Sequence, residues 1–422
     1  MEVLIYMKNH ESLFFAGIDW GRNSHQVCVV DREGSVIGEK SFKHSGGGLL
    51  EMAQWMRKIS DSEVCDIAAA IEVNHGPVVE SLVEQGFRVY SINPKQLDRF
   101  RDRFCVSGAK DDRRDALVLA SALRTDRYHF RFIEPQDPNV IILREFNRTR
   151  EELTAEHTRL VNRLRGLLFR YYPQFGELLG KKVSAWHLEL WELMPCPDST
   201  KGKRVSTVKN LLRRNGVRRF NAKEVLRVLH DKKIELNDAT TESCVWHIRK
   251  IIERMKVIDR QIKETEDSIK QIVETMNLKL KTEGQGPTDI EILISIPGVG
   301  HVVLATLIAE AWDLIRRRDR EALRCLGGTA PVTRQSGKSR QVVLRRAVCR
   351  NLADAFHVLG RIAAVNDPAS KAKYKALRAK GHRHCRSVRT VCDRLLSVAC
   401  TILKKGELFD KEFKKPLEDI AA

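Results

Sequence analysis

The stretch "CDIAAAIEV", residues 65–73, constrains the fold more than any other part of the chain. Its run Ile67–Ile71 is wholly apolar and only strand-sized, the pattern of a strand buried at the centre of a sheet. Glu72 stands near its C-terminal end. The flanking sequence supplies the rest of such a sheet. "LFFAGIDWG" predicts a first apolar strand ending at Asp19, "HQVCVVD" alternates toward a second, "REG" is a turn, and "SVIGEKSF" predicts a third. Helices are predicted near Leu49–Ile59, Pro77–Gln85 and Pro94–Phe104, with a strand over Arg88–Ile92 and a break at "VSGAK". Three meandering strands followed by α/β alternation is the order of an RNase H-like (RuvC-like) α/β fold, expected over residues 12–130.

The pattern changes after that. Leu143, Phe146, Leu153, Leu160, Leu164, Leu167 and Leu168 recur at helical spacing, as do Ile248, Ile251, Ile252, Met255, Ile258, Ile262, Ile269 and Ile272. Two long amphipathic helices are predicted, pairing as an antiparallel coiled-coil arm or mediating dimerisation; the plainer alternative packs each on its own domain. The arm region spans 131–285 and holds a mixed insertion at about 175–245, whose "TKGKR" and "RRNGVRRF" are basic and suit either nucleic-acid contact or a solvated surface. From 286 to 410 a mainly α-helical C-terminal domain is expected, with helices at about 348–364 and 386–404, a Gly/Ser/basic loop "GGTAPVTRQSGKSRQVVLRRA", and a tail fraying after Phe409.

Charge narrows the partners. Among 422 residues, 74 Lys and Arg face 55 Asp and Glu, leaving a formal net charge of +19 and pointing to a polyanion, most simply nucleic acid. A membrane surface is the rival, but no apolar run approaches the ~18–20 residues of a spanning helix, and no secretory signal is recognisable. The ten cysteines are scattered without a C-x-x-C pair, which argues against structural zinc or disulfides and suits a reducing cytosol.

Against that basic background, Asp111, Asp112 and Asp115 sit among Lys110, Arg113 and Arg114 where an apolar helix begins. Acids favour a first helical turn because its free N–H groups carry partial positive charge. Alternatively, carboxylates three residues apart share a face and can hold a divalent metal. A nuclease of this fold needs carboxylates from its first strand, its fourth strand and a late helix to bind two Mg²⁺ ions. Asp19, Glu72, Asp112 and Asp115 stand in that order, with Asp111 an alternative to Asp112. Arg113 and Arg114 point to phosphates or to solvent.

Two more motifs carry chemistry. "PVTRQSGKSR" sets Ser336 among Arg334, Lys338 and Arg340, a cationic setting that activates a hydroxyl and neutralises a phosphate. Ser339 is its rival, and a plain loop the simpler reading. "IPGVGHVVLA" resembles a helix-hairpin-helix turn whose Gly298 and Gly300 would let backbone N–H groups approach a phosphate. "GHRHC" offers His382, His384 and Cys385 at a spacing poor for a metal site.

These pieces resemble the DEDD transposases of the IS-one-ten type, the Piv/MooV-like recombinases. "GIDWGRNSHQVCVVD", "AIEVNHG", "INPKQLDRFR" and "KDDRRDALVLA" are similar to their RuvC-like domain. "LISIPGVGHVVLATLIAE" and "LRCLGGTAPVTRQSGKSR" are similar to their C-terminal transposase domain. The match covers most of residues 14–172 and 288–410 in the family's order. The resemblance implies an insertion-sequence transposase that cuts and rejoins donor and target DNA. It implies Mg²⁺, or Mn²⁺ in its place, on Asp19, Glu72, Asp112 and Asp115. Ser336 would be the nucleophile through a transient phosphoserine, and the site would be composite in a dimer or tetramer. The family's structured bridge RNA would choose the DNA sites, and the cell would be bacterial or archaeal, with the protein cytoplasmic and nucleoid-associated. The competing reading is a RuvC-like resolvase that uses the acids and water alone.

Overall fold

In the computed structural model, residues 12–73, 75–104, 111–135, 137–180, 183–337 and 339–410 are described. The expected break at 106–110, Lys110, Lys338 and the tail from residue 411 lie outside them. The chain forms two compact units that meet in sequence between Asp137 and Pro138.

The first unit is a six-stranded mixed sheet with helices on both faces. In chain order it comprises β1 Phe14–Trp20, β2 Ser24–Val30, β3 Val36–Lys43, α1 Gly46–Ser60, β4 Ile67–Ile71, α2 Pro77–Glu84, β5 Arg88–Ser91, α3 Pro94–Phe104, α4 Asp112–Asp126 and the short β6 Arg131–Phe132. The strand order is β3-β2-β1-β4-β5-β6, with β4 parallel to both neighbours, β1 and β5. All five residues of β4 are buried, as an apolar run without alternation requires. Alternate side chains serve two cores. Ala16, Ile18, Val27, Val29, Ile67, Ala69 and Ile71 pack against Met52 and Met56 of α1 and Val78, Val79 and Leu82 of α2. Phe15, Cys28, Val30, Ala68, Ala70 and Tyr90 face Leu97 of α3 and Ala116, Leu119, Ala120 and Leu123 of α4.

At Gly17 of β1, helix α4 lies backbone against backbone. A Cβ there would overlap the Ala116 carbonyl oxygen and come within 2.5 Å of the Ala120 nitrogen and 2.8 Å of the Leu119 Cβ. Only a residue without a side chain allows that approach.

The second unit is helical apart from one hairpin. Its elements are α5 Pro138–Tyr171, α6 Pro173–Leu178, α7 Ala185–Leu193, α8 Val205–Arg214, α9 Ala222–Leu229, α10 Asp238–Glu283, α11 Asp289–Ser295, α12 His301–Arg316, α13 Arg320–Leu326, β7 Val332–Ser336, β8 Ser339–Val343, α14 Arg350–Asn366, α15 Pro368–Ala379 and α16 His384–Lys405. The long helices α5 and α10 run antiparallel through two separate cores. Val140 and Leu143 pack with Ile269, Val273 and Met276. Leu160, Leu164 and Leu168 pack with Ile248, Ile251, Ile252 and Met255. The contact of His157 Nε2 with Asp259 at 3.3 Å and the ion pair Glu156–Arg254 mark the same register. The basic insertion packs into the second of these cores. Phe175, Trp186 and Trp191 are buried there beside Tyr171 and Tyr172, and the Tyr171 hydroxyl donates to the Pro195 carbonyl at 2.6 Å while accepting from Trp191 Nε1 at 2.9 Å. The segment expected as a Gly/Ser/basic loop contains the β7–β8 hairpin instead. Val-Thr-Arg-Gln-Ser pairs with Ser-Arg-Gln-Val-Val up to Ser336 and Ser339, and Gly337 takes the positive φ of 52° that tight hairpin turns need. Among the described residues no helix is long and apolar enough to cross a membrane.

Two stability predictions follow from the first unit. Gly17→Ala should cost about 3 kcal/mol by overpacking, whereas Gly46→Ala, whose Cβ meets nothing within 4 Å, should stay within about 0.5 kcal/mol; urea unfolding compares them. His25 is fully buried, with Nε2 2.9 Å from His44 Nδ1. Burial first, then the neighbouring ring, holds its pKa below the ordinary value. The unfolded chain therefore binds the extra proton between that lowered pKa and about 6.5. Stability should therefore rise as pH rises through that window, and His25→Asn should remove this part of the slope in urea midpoints taken from pH 5 to 8.

Candidate active site

Four expected acids enter from three elements. Ile18 of β1 stands opposite Ile71 of β4, so Asp19 and Glu72, each the next residue, leave adjacent parallel strands at one level. Glu72 lies one residue beyond β4. Neighbouring strands run about 4.8 Å apart. Phe15 on β1 and Ala68 and Ala70 on β4 face α4, and the period of two carries Asp19 and Glu72 to that same face. Both are partly exposed.

Helix α4 brings the other two. Near its far end Arg124 donates to the carbonyl of Arg32, just past β2, and Val30 of β2 pairs with Phe15 at the start of β1. The helix thus runs back along β1, pinned at Gly17, and its first turn lies toward the Asp19 end. Asp111 is its N-cap, its side chain accepting from the Arg113 N–H at 3.4 Å. The carboxylate of Asp111 is therefore engaged with the helix backbone. Asp112 begins the helix and is exposed, as are Arg113 and Arg114. Asp115, three residues on, is only 1% exposed.

A buried carboxylate needs a partner, and Asp115 has one that the sequence reading did not name. Arg101 of α3 grips it in a two-point contact, Nε to Oδ1 at 2.5 Å and Nη2 to Oδ2 at 2.8 Å. Through Nη1 the same guanidinium pairs with Asp98, one turn earlier on its own helix. The bond to Asp115 raises the Arg101 pKa above the usual arginine value against the opposing effect of burial, and the charges of Asp115, Asp98 and Glu72 raise it further. Arg101 thus sits in the field of acids from three elements. All four candidate acids offer carboxylate oxygens, the ligand type of Mg²⁺ and Mn²⁺. Both Asp115 oxygens accept from Arg101, and among the described residues no group of three or more His, Cys, Asp or Glu is disposed to hold a metal ion. The buried acid inside an apolar helix face was itself the signal for a missing cation; the sequence did not say which arginine.

The remaining candidates lie in the second unit. Ser336 ends β7 and pairs with Ser339, which begins β8, so the two rival serines face each other across the hairpin tip, both exposed. Arg334 pairs with Gln341, and Arg340 pairs with Gln335. Alternation puts Arg334 on the face of Ser336 and Arg340 on the opposite one. Lys338 is outside the described residues. Gly298, with φ of 96°, is packed inward, since a Cβ there would come 2.8 Å from the Leu359 carbonyl oxygen of α14. Gly300 is exposed and caps α12, where its surroundings are open.

Comparison with known proteins adds an independent line. A family model for the DEDD transposases of IS110, described as Transposase, matches residues 16–173, and one described as Transposase IS116/IS110/IS902 family matches residues 290–375. The chain is 52% identical over 209 residues to a putative transposase, y4uE, of Sinorhizobium fredii, a stretch that covers 49% of this chain and 58% of that relative. It thus spans little more than half that relative's length. It is 27% identical over 405 residues to the mini-circle putative transposase for IS117 of Streptomyces coelicolor, covering 94% and 95% of the two chains. It is 24% identical to an uncharacterized 44.8 kDa protein of insertion element IS116 of Streptomyces clavuligerus, covering 96% and 98%.

The contrast between the two helix acids is measurable. Asp115→Asn should cost about 3 kcal/mol in urea unfolding, because a largely buried guanidinium loses its charged partner. Asp112→Asn, at an exposed site, should change stability by less than about 0.5 kcal/mol. Equal effects would show that burial does not separate the two.

Proposed function

We propose that this chain, which belongs to the IS116/IS110/IS902 family of transposases, cuts and rejoins DNA strands for an insertion sequence. The observation that carries the reading is the level placement of Asp19 and Glu72 on the sheet face under the start of α4, where Asp112 and Asp115 arise. The strand order, three antiparallel strands and then parallel β4 and β5, supports an RNase H-like first domain. The helix pair α5 and α10 is read as the arm.

In this reading Asp19, Glu72, Asp112 and Asp115 would hold Mg²⁺ or Mn²⁺, and such ions would supply charge neutralisation to the reacting phosphodiester. Ser336 Oγ attacks the phosphorus: a P–O bond forms to the serine, the P–O bond to the deoxyribose oxygen breaks, and that oxygen leaves as a hydroxyl. The phosphoserine ester keeps the bond energy, so a new DNA hydroxyl can displace the serine and rejoin the strand without ATP. Arg334, on the serine's face of the hairpin, fixes the phosphate oxygens. Arg113 and Arg114 of α4 and Gly300 at the start of α12 take phosphates further along, and the net charge of +19 supplies general affinity for DNA and for a guiding bridge RNA. The working form is a dimer or tetramer in the cytoplasm.

Recombination assays with donor and target DNA, with and without the RNA that copurifies, test this. Ser336→Ala should lower recombination by at least about 1,000-fold and leave no protein–DNA adduct, while Ser339→Ala keeps both. Glu72→Ala should abolish cleavage at every Mg²⁺ concentration. A Ser336→Ala protein that still cuts DNA would favour the water-using resolvase.

A further inference from the structure

One cation at the candidate metal ligands belongs to the chain itself. Arg101 takes both oxygens of Asp115, binds Asp98 and feels Glu72. Its own side chain is 24% exposed, against 2% for that of Asp115, so the contact lies at the lip of the cluster with a path to solvent. We propose that Arg101 is a resident counter-ion that competes with the divalent cation for Asp115, so that loading the metal requires the guanidinium to let go. This rests on reading the acids as a metal centre.

A divalent cation takes carboxylate oxygens at about 2.0–2.6 Å. Asp115 has two, each already accepting an N–H bond from Arg101, so a metal there must share the carboxylate with a guanidinium at hydrogen-bond distance. Two cations crowded on one carboxylate repel each other in the partly buried site, where water screens them weakly. The pairing also protects the protein while no metal is bound, because an unpaired carboxylate on the buried face of α4 would be costly. The arginine therefore stabilises the metal-free fold and weakens apparent metal affinity by the fraction of time it holds Asp115. Release is a side-chain rotation of a long, flexible residue at a partly open site, and it needs no movement of α4, which Gly17 holds to the sheet.

Titration of Mn²⁺ into the full chain freed of nucleic acid, read by the paramagnetic resonance of the free ion, tests the competition without any activity assay. Arg101→Gln should tighten Mn²⁺ binding on the order of 10- to 100-fold, with a lower thermal midpoint that Mn²⁺ restores. Arg101→Lys, which keeps the charge but loses the two-point contact, should show a smaller gain in the same direction. The gain should vanish when Asp115→Asn is added. Unchanged or weaker binding in a folded Arg101→Gln protein overturns the proposal and leaves the metal centre standing; if that variant does not fold, unchanged binding in Arg101→Lys does the same. Absence of Mn²⁺ binding in the wild-type and both variant proteins overturns the competition and the metal reading together.

Discussion

The contact on which the first unit depends is the seating of α4 directly on β1 at Gly17. Helices usually stand off a sheet by the length of two side chains. Here the separation is set by backbone atoms, because any Cβ on residue 17 would enter the helix. That close approach fixes where the helix begins relative to the strand ends. It also leaves Asp115 on a face otherwise occupied by Ala116, Leu119, Ala120 and Leu123. The placement of the acids is therefore tied to this packing.

That geometry creates an electrostatic problem that α3 solves. An ionised carboxylate removed from water is stable only with its charge matched. Arg101 matches it with a fork whose two N–H groups fit the two oxygens, a fit that lysine cannot reproduce. Asp98 steadies the fork from below. The second unit handles polarity differently. Its insertion buries aromatic rings, with the Trp191 and Tyr171 tips satisfied in the Trp191–Tyr171–Pro195 chain, and leaves its arginines and lysines largely at the surface.

Much of the first unit was legible because its signals are local. The apolar run ending at Glu72, the strand ending at Asp19 and the acid-rich start of α4 each announce themselves within a few residues. Their convergence was legible only through the order of elements. Arg101 was not legible: Arg99, Arg101 and Arg103 alternate along α3, and only the packing of α3 on α4 selects one of them. The β7–β8 hairpin read as a loop because most of both strands is exposed. A strand with no buried face shows no hydrophobic alternation, so turn chemistry at Gly337 was its one clear signal. The insertion read as basic surface because charges outnumber rings there, although Phe175, Trp186 and Trp191 were in plain view.

The helix α10 belongs to both cores of the second unit. Its 46 residues extend about 70 Å, and between Ile262 and Ile269 it passes from one core to the other. Charged residues line that span, with intrahelical pairs Arg260–Glu264 and Lys270–Glu274 at either side of it. One continuous helix therefore joins the aromatic lobe to the core that carries the hairpin, so that Ile248 and Ile269 are linked by helix alone, with no loop between the two cores along this element.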